Sequence, residues 1–481
     1  MNTSIKKNFG YNLILTIANY IFPLIIYPYV SRVLGVTNIG ACNFVDSIIN
    51  YFVLLSALGV ASLGVREIAK CKNSREQMET VFSNLLLFNI MMTFVSISIL
   101  VVCTYTVETL TPYKKFLLIG ILKLLFTPFT IEWFFQGIQV FKFITTRTIV
   151  VRILYVVLLF TFVHNEADVY IYYFLTTLVV LVNGIWNFTY SKNFVTFSFT
   201  HIRPLLYLTS ILILGYYRIL TSLYTTFNTF FLGVTSGDVE VGYFATATKI
   251  NTLIMSVFTA FTTVMVPKVA EMLQEDKQYE LRNIANNTFC LLMTAALPII
   301  CLCFFCANQI ILLVAGNGYE GAVPVFRIVI GLILIIGIEQ VVIQQFLMAS
   351  NNNKTIFIVS TVGAVIGIIV NFVVTPSFGS VGSAIAWFLS ELSVMVTGLI
   401  LLNKTMHISL PFRAMGKDLM WMFFYILPLI AIEILLTNIW WKFGLSIISV
   451  SIIFVVINYY VQPQRMVVNT VLYIKKISKI K

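Results

Sequence analysis

Ionisable side chains stand inside long apolar runs of this 481-residue chain: Arg32, Lys123, Arg152, Arg218, Lys249 and Arg327 as cations, Asp46, Glu132, Glu339, Glu391 and Glu433 as acids. In a bilayer each costs about 2.5–3.5 kcal/mol at a helix centre, so each must meet water, a counter-ion or a ligand. Arg32 and Arg327 lie near run ends, where a long side chain reaches the interface. Arg218 stands about ten residues into its run, roughly 15 Å deep, beyond easy reach of the surface. Polar residues recur at helical spacing beside the deep charges. Arg218, Ser222, Thr225 and Thr229 share one face, and Lys249, Thr252, Ser256, Thr259 and Thr263 share another. The first two runs add Asn19 and then Asn43, Asp46 and Asn50. Such stripes either line a wet cleft or glue packed helices. Arg218, Lys249, Arg152 and Lys123 suit a phosphate or diphosphate held by charge-assisted hydrogen bonds. With Arg32, Asn19, Asn43, Ser222, Thr225, Thr252 and Ser256 they form the candidate substrate-binding set. Asp46, Glu132, Glu339 and Glu391 suit ion pairing with these cations, or carriage of a coupling proton or sodium ion. Glu433 is assigned no role.

The elements that must position these residues follow from composition. Hydrophobic residues make up 59% of the chain and charged residues only 10%, against about 25% in a soluble domain. Apolar stretches fall at about 10–32, 39–62, 80–106, 115–137, 143–164, 168–191, 208–234, 241–267, 284–306, 324–348, 355–376, 379–403, 418–438 and 441–462. Their continuity over about 20 residues predicts helices, because barrel strands alternate over about 10. The expected fold is therefore an all-α integral membrane protein with about 14 transmembrane helices.

An even number of crossings puts both termini on one side. Lys6, Lys7, Arg66, Lys70, Lys72, Arg75 and the tail residues Arg465, Lys475, Lys476, Lys479 and Lys481 all fall there. Some 22 basic residues, roughly, share that side against about three on the other, so the positive-inside rule predicts cytoplasmic termini. The net charge of +12 is mostly spent on this bias, which argues against nucleic acid as a partner.

Metal and enzyme chemistry find little support. Cys301, Cys303 and Cys306 sit at an apolar helix end without a neighbouring His or acid, and read as small apolar residues. The seven Cys imply no disulfide framework. Three His are scattered singly, and no carboxylate pair stands at an exposed end in an arrangement for acid/base work. A membrane glycan polymerase or glycosyltransferase needs a site outside the bilayer, usually a large loop; the longest outer segment here runs from about 307 to 323. No cofactor is expected beyond a possible coupling proton or sodium ion.

An internal repeat is visible. Leu34-Gly35-Val36-Thr37 ends span 1 and Leu232-Gly233-Val234-Thr235 ends span 7. Gly40 then opens span 2 and Gly242 opens span 8, each followed by a basic residue, Arg66 or Lys268, at the same spacing. This predicts a six-helix lobe at 1–205, a second at 206–403, and an appended helix pair with a basic cytoplasmic tail at 404–481. Lobes of even span number run in the same sense, as in parallel-repeat transporters.

Several segments resemble the Wzx-type polysaccharide flippases of the multidrug/oligosaccharidyl-lipid/polysaccharide exporter superfamily. They are Asn8-Phe9-Gly10-Tyr11-Asn12, Pro28-Tyr29-Val30-Ser31-Arg32-Val33-Leu34-Gly35 and Gly64-Val65-Arg66-Glu67-Ile68-Ala69. Leu232-Gly233, Val241-Gly242-Tyr243, Pro267, Pro324 to Arg327 and Gly379 to Glu391 extend the likeness to about residue 400. Where many relatives carry Asp-Thr before the Leu-Gly of span 7, this chain has Asn228-Thr229, so no role of that acid is carried over. The resemblance implies a MATE-like fold, location in the bacterial inner membrane, and transport of an undecaprenyl-diphosphate-linked oligosaccharide, an O-antigen or capsule repeat unit, to the periplasmic leaflet. It further implies alternating access around a cationic cleft, ion coupling, and partnership with a polysaccharide polymerase and a chain-length regulator. Lipid II or another polyprenyl-linked glycan suits the same cations. A cation/drug antiporter suits them poorly.

Overall fold

The computed structural model describes residues 5–198, 202–275, 277–350, 352–406, 408 and 411–461; the basic tail from Arg465 to Lys481 lies outside them. Among the described residues there is no strand, and twelve helices are long and apolar enough to cross a membrane. Two of these, of 58 and 53 residues, are each two crossings merged at a sharp corner, so the twelve carry the fourteen crossings that hydropathy predicts. The protein is an all-α, multi-pass membrane protein.

The chain divides into two compact units at Ala245. The first contains α1 (Ile5–Ala57), α2 (Val60–Cys71), α3 (Arg75–Thr106), α4 (Lys114–Phe126), α5 (Glu132–Gly137), α6 (Phe141–Phe162), α7 (Val169–Ser191), α8 (Leu208–Ser236) and the start of α9 (Asp238–Gln274). The second contains the rest of α9, then α10 (Gln278–Phe305), α11 (Ala307–Val314), α12 (Ala322–Val329) and α13 (Leu332–Gln340). It continues through a π-helical turn, Val341–Leu347, to α14 (Asn353–Met406), α15 (Phe412–Leu435) and α16 (Ile439–Val456). The contact boundary lies beyond residue 205, because α8 packs on α1 and α2 of the first unit.

Glycine makes the corners. Gly35 (φ 74°, ψ 169°) turns span 1 into span 2 inside α1, and Gly237 (φ 81°, ψ −178°) turns α8 into α9. That region of backbone space is essentially closed to residues with a Cβ. The matching corners therefore fall at Gly35 and Gly237. Gly40 with Gly242, and Arg66 with Lys268, keep this same spacing, while the Leu-Gly-Val-Thr match is displaced from it by one helical turn. Gly233 lies within α8, against the Phe44 ring.

The two corners touch one another reciprocally. A Cβ on Gly40 would lie 1.7 Å from the Asp238 carbonyl oxygen, and one on Gly242 would lie 2.4 Å from that of Val36. Tyr113 donates a 2.7 Å hydrogen bond to Asp238 over this contact, and its ring meets Phe44 edge-on. A second close approach joins Gly59 to Gly215 at the start of α8.

The interior of the first unit is aromatic around one buried charge. Trp133, Phe134 and Phe135 of the short α5 are buried, and Phe82, Phe143, Tyr190 and Phe194 surround them edge-on, tilted or stacked. Arg147, inside the apolar stretch at 143–164, lies in α6 with only 1% of its side chain exposed. It donates to Glu132 Oε1, to Asn187 Oδ1 and to Thr148 Oγ1, and Asn187 in turn donates to the Thr130 carbonyl. One buried cation thereby ties α5, α6 and α7 together.

Two outcomes follow. Gly40→Ala or Gly242→Ala must part the corner, so a reporter cysteine at Val36 should react faster with a hydrophilic maleimide. Gly10→Ala, whose Cβ meets nothing within 4 Å, should leave that rate unchanged. Arg147→Ala should cost roughly 3–5 kcal/mol, because it strands buried partners, and should lower the melting temperature in detergent. Glu132→Gln should cost about 1 kcal/mol or less, since solvent already reaches 46% of that side chain.

Candidate functional site

In the first unit the structure brings several of the expected residues together. Lys123 of α4 and Asp46 of α1 form an ion pair at 2.8 Å, and Tyr173 of α7 donates to the same Asp46 oxygen at 3.1 Å. The pair retains access to its surroundings, with 18% of the Lys123 side chain and 37% of the Asp46 side chain exposed. Lys123, expected as a substrate cation, is thus already matched by an acid. Glu132 is likewise matched, by Arg147. Asn43 donates to the Ile39 carbonyl of its own helix. Arg32 is exposed, three residues before the Gly35 corner.

Arg152 of α6 reaches span 1. It donates from Nη1 to the Ala18 carbonyl at 2.9 Å and from Nη2 to Asn19 Oδ1 at 2.6 Å, with its guanidinium 5.7 Å from the Phe22 ring centre. This is the middle of three rungs. Thr145 donates to the Tyr11 carbonyl at 3.0 Å, and Tyr29 donates to the Val163 carbonyl at 2.7 Å. All three join residues 134 positions apart, so α1 and α6 run parallel in one register from end to end. Parallel helices keep such a register only if both advance 1.5 Å per residue along nearly parallel axes.

Arg218 of α8 is exposed, and among the described residues no ion pair reaches it. Below it, Ser222 and Thr225 bond to carbonyls of their own helix, those of Ile219 and Thr221. That is how hydroxyls settle on a helix face when no neighbouring helix claims them. Asn228 is buried.

In the second unit Lys249 is exposed on α9. Thr252 and Ser256 again bond to their own helix, at Thr248 and Leu253, whereas Thr259 accepts a 3.0 Å hydrogen bond from Gln340. The glue reading of the stripe thus applies at Thr259 alone among these three. Glu339 of α13 and Glu391 of α14 face each other within hydrogen-bonding reach. Trp387 donates to Glu391 Oε1 at 2.9 Å. Each acid keeps its Oε2 buried without a hydrogen-bond partner among the described residues. Directly after Glu339 and Gln340 the helix widens into the π-helical turn, a departure that often marks functional positions. Outside this group, Arg327 donates to the Phe304 carbonyl at the end of α10, and Glu433 pairs with Lys442 at 2.8 Å. Among the described residues no set of three or more His, Cys, Asp and Glu side chains could hold a metal ion.

Sequence reasoning missed Arg147, Tyr173, Gln340 and Trp387 as partners. Arg147 was not marked by the sequence as the partner of Glu132, because Lys123 stands on the same span as that acid. Trp387 stands one turn before Glu391 in the sequence, at the spacing that lets an indole N–H meet a carboxylate on one helix face.

Comparisons with known proteins agree with this architecture. A model of the polysaccharide biosynthesis protein family matches residues 5–273, and the MatE family model matches residues 215–373. A putative O-antigen transporter of Escherichia coli (strain K12) is 25% identical over 415 residues, covering 84% of this chain and 98% of its own length. One from Shigella dysenteriae is 21% identical over 398 residues, covering 81% and 98%. The solved structure of the lipid II flippase MurJ in an inward closed conformation has a TM-score of 0.74 at 14% identity, over 98% of this chain and 100% of that one. An inward-facing multidrug resistance MATE family transporter reaches 0.64 at 14% identity, over 87% and 97%. The fold is MATE-like, and with the first model spanning more than half of its length, the chain belongs to the polysaccharide biosynthesis protein family, within the exporter superfamily that its motifs resemble.

Proposed function

We propose that this protein is a flippase for undecaprenyl-diphosphate-linked oligosaccharide, an O-antigen or capsule repeat unit. It moves its substrate from the cytoplasmic to the periplasmic leaflet of the bacterial inner membrane, with both termini cytoplasmic. The observation that carries the reading is Arg218, a cation deep in span 7, exposed and without an ion pair among the described residues. An uncompensated charge at that depth is costly unless a ligand of opposite sign uses it. The relatives named as putative O-antigen transporters supply the glycan class.

The chemistry required is binding and release, with no bond made or broken. Arg218 holds a phosphate by charge-assisted hydrogen bonds, and Lys249, in the second unit, is a flexible point charge suited to an anionic group. The exposed hydroxyls of Thr225 and Thr252 and the half-buried ones of Ser222 and Ser256 exchange hydrogen bonds with sugar hydroxyls at little net cost. The lipid tail stays in hydrocarbon throughout. Alternating access then exposes the headgroup to one side at a time.

Glu339 and Glu391 supply the coupling. Two facing carboxyls with no ion pair among the described residues favour holding a proton between them, which would give a donor to an Oε2 atom that lacks one. Loss of the proton leaves two adjacent negative charges, which favours a conformation that separates or hydrates them. A polymerase and a chain-length regulator would act on the product once it reaches the periplasmic face.

Flipping of fluorescent undecaprenyl-diphosphate oligosaccharide in proteoliposomes tests the reading. Arg218→Glu should lower the rate about 100-fold, while Arg218→Lys stays within roughly tenfold of wild type. Equal rates for all three would remove the cationic site, and a preference for lipid II over O-antigen precursors would transfer the substrate assignment to that lipid. In a second experiment, Glu391→Gln and Glu339→Gln should abolish the stimulation of flipping by an imposed pH gradient. Stimulation of the wild type by sodium alone would show that the pair serves a metal ion instead.

A further inference from the structure

The ladder between α1 and α6 has one rung unlike the others. Its outer rungs are neutral hydroxyls on neutral carbonyls, Thr145 to Tyr11 and Tyr29 to Val163. The middle rung is the Arg152 guanidinium, a full charge resting on a carbonyl, an amide and an aromatic ring. All three of its contacts, Ala18, Asn19 and Phe22, fall on the single turn of α1 that precedes Pro23. Pro23 has no N–H to give the Asn19 carbonyl four residues back, and Pro28 has none for Leu24. The arginine therefore holds span 1 where its own ladder of hydrogen bonds is weakest. Glu132 is the acid whose charge is felt at Arg152, but its carboxylate hydrogen-bonds Arg147.

A guanidinium that binds neutral acceptors will exchange them for a phosphate. Bonds to an ionised acceptor are roughly twice as strong, and the planar fork of Arg meets two phosphate oxygens at once. Resting on the flippase reading above, we propose that Arg152 is a substrate-responsive latch. A diphosphate-bearing lipid takes its guanidinium from Ala18 and Asn19, and so frees the middle of span 1 from α6. The outer rungs offer a phosphate no charge and stay closed. Movement is thereby confined to the stretch containing Pro23 and Pro28, while the ends keep their register. A ligand that bonds Arg152 only when the rung is open shifts the population toward the open form.

Paired spin labels test this at Ile17 and Ile153, which lie on the two helices with 47% and 51% of their surface exposed. They are placed in full-length protein with its cysteines replaced, in nanodiscs. The probe is radiolabelled undecaprenyl diphosphate, with binding and label distance measured on the same samples. Wild type should show one short distance without ligand and a second, longer population at saturation. Undecaprenol, the same tail without the diphosphate, should change nothing. Arg152→Gln should show the longer population without ligand. Asn19→Asp, which turns the rung into an ion pair, should raise the ligand concentration at half-separation by roughly tenfold. Binding of undecaprenyl diphosphate without any change in distance would overturn the latch and leave the flippase standing. Separation by undecaprenol would overturn the charge exchange. Failure of a folded wild type to bind undecaprenyl diphosphate at all would overturn both readings.

Discussion

Hydrocarbon gives a polar group no solvent to fall back on, so a charge in these spans must find a protein partner, water or a ligand. That constraint orders the molecule. Arg147 is answered threefold and ties α5, α6 and α7 together. Lys123 is answered by Asp46, which also accepts from Tyr173, and Arg327 by the free carbonyl end of α10. Arg152 is answered only by neutral groups, and Arg218 stands exposed. The sequence shows a cation and its depth; how far each is compensated comes from the fold alone.

The same constraint explains what could be read in advance. A crossing needs about 20 apolar residues in a row, a one-dimensional property, so hydropathy locates the crossings even where a helix continues through a corner, as at Gly35 and Gly379. Depth along a span is also one-dimensional, which is why Arg218 stood out. Partnership is not. Lys123 and Asp46 lie 77 positions apart, and Arg147 and Asn187 lie 40 apart, with nothing in either local sequence to announce the other. Arg147 stands near the start of a span, where a charge ordinarily reaches water, so nothing in the local sequence marks it as buried. The tetrapeptide repeat misled by one turn for a related reason: the composition of an apolar segment is easily matched by chance, whereas the position of a Gly-only backbone angle is fixed by geometry.

Register recurs as a theme in the first unit. The α1 and α6 helices keep one separation of 134 positions through three rungs, which leaves little freedom to slide or rotate one against the other while the rungs hold. At its far end α1 turns through Gly35 into span 2, which meets α8 through close glycine approaches at both ends and through Phe44, Tyr51 and Phe230 between them. A displacement in the middle of span 1 is therefore transmitted to elements with few alternative ways to pack.

The glycine corner has a further property. Gly40 sits over residue 238 and Gly242 over residue 36, and the shift that carries 40 to 242 also carries 36 to 238. The contact is thus its own mirror in sequence: each corner presents a donor surface and the matching receptor surface. This is the logic of an isologous interface, the kind that joins identical subunits across a two-fold axis. A polypeptide holding just one such corner would already own both halves of the contact, and two copies could meet through it before any linker joined them.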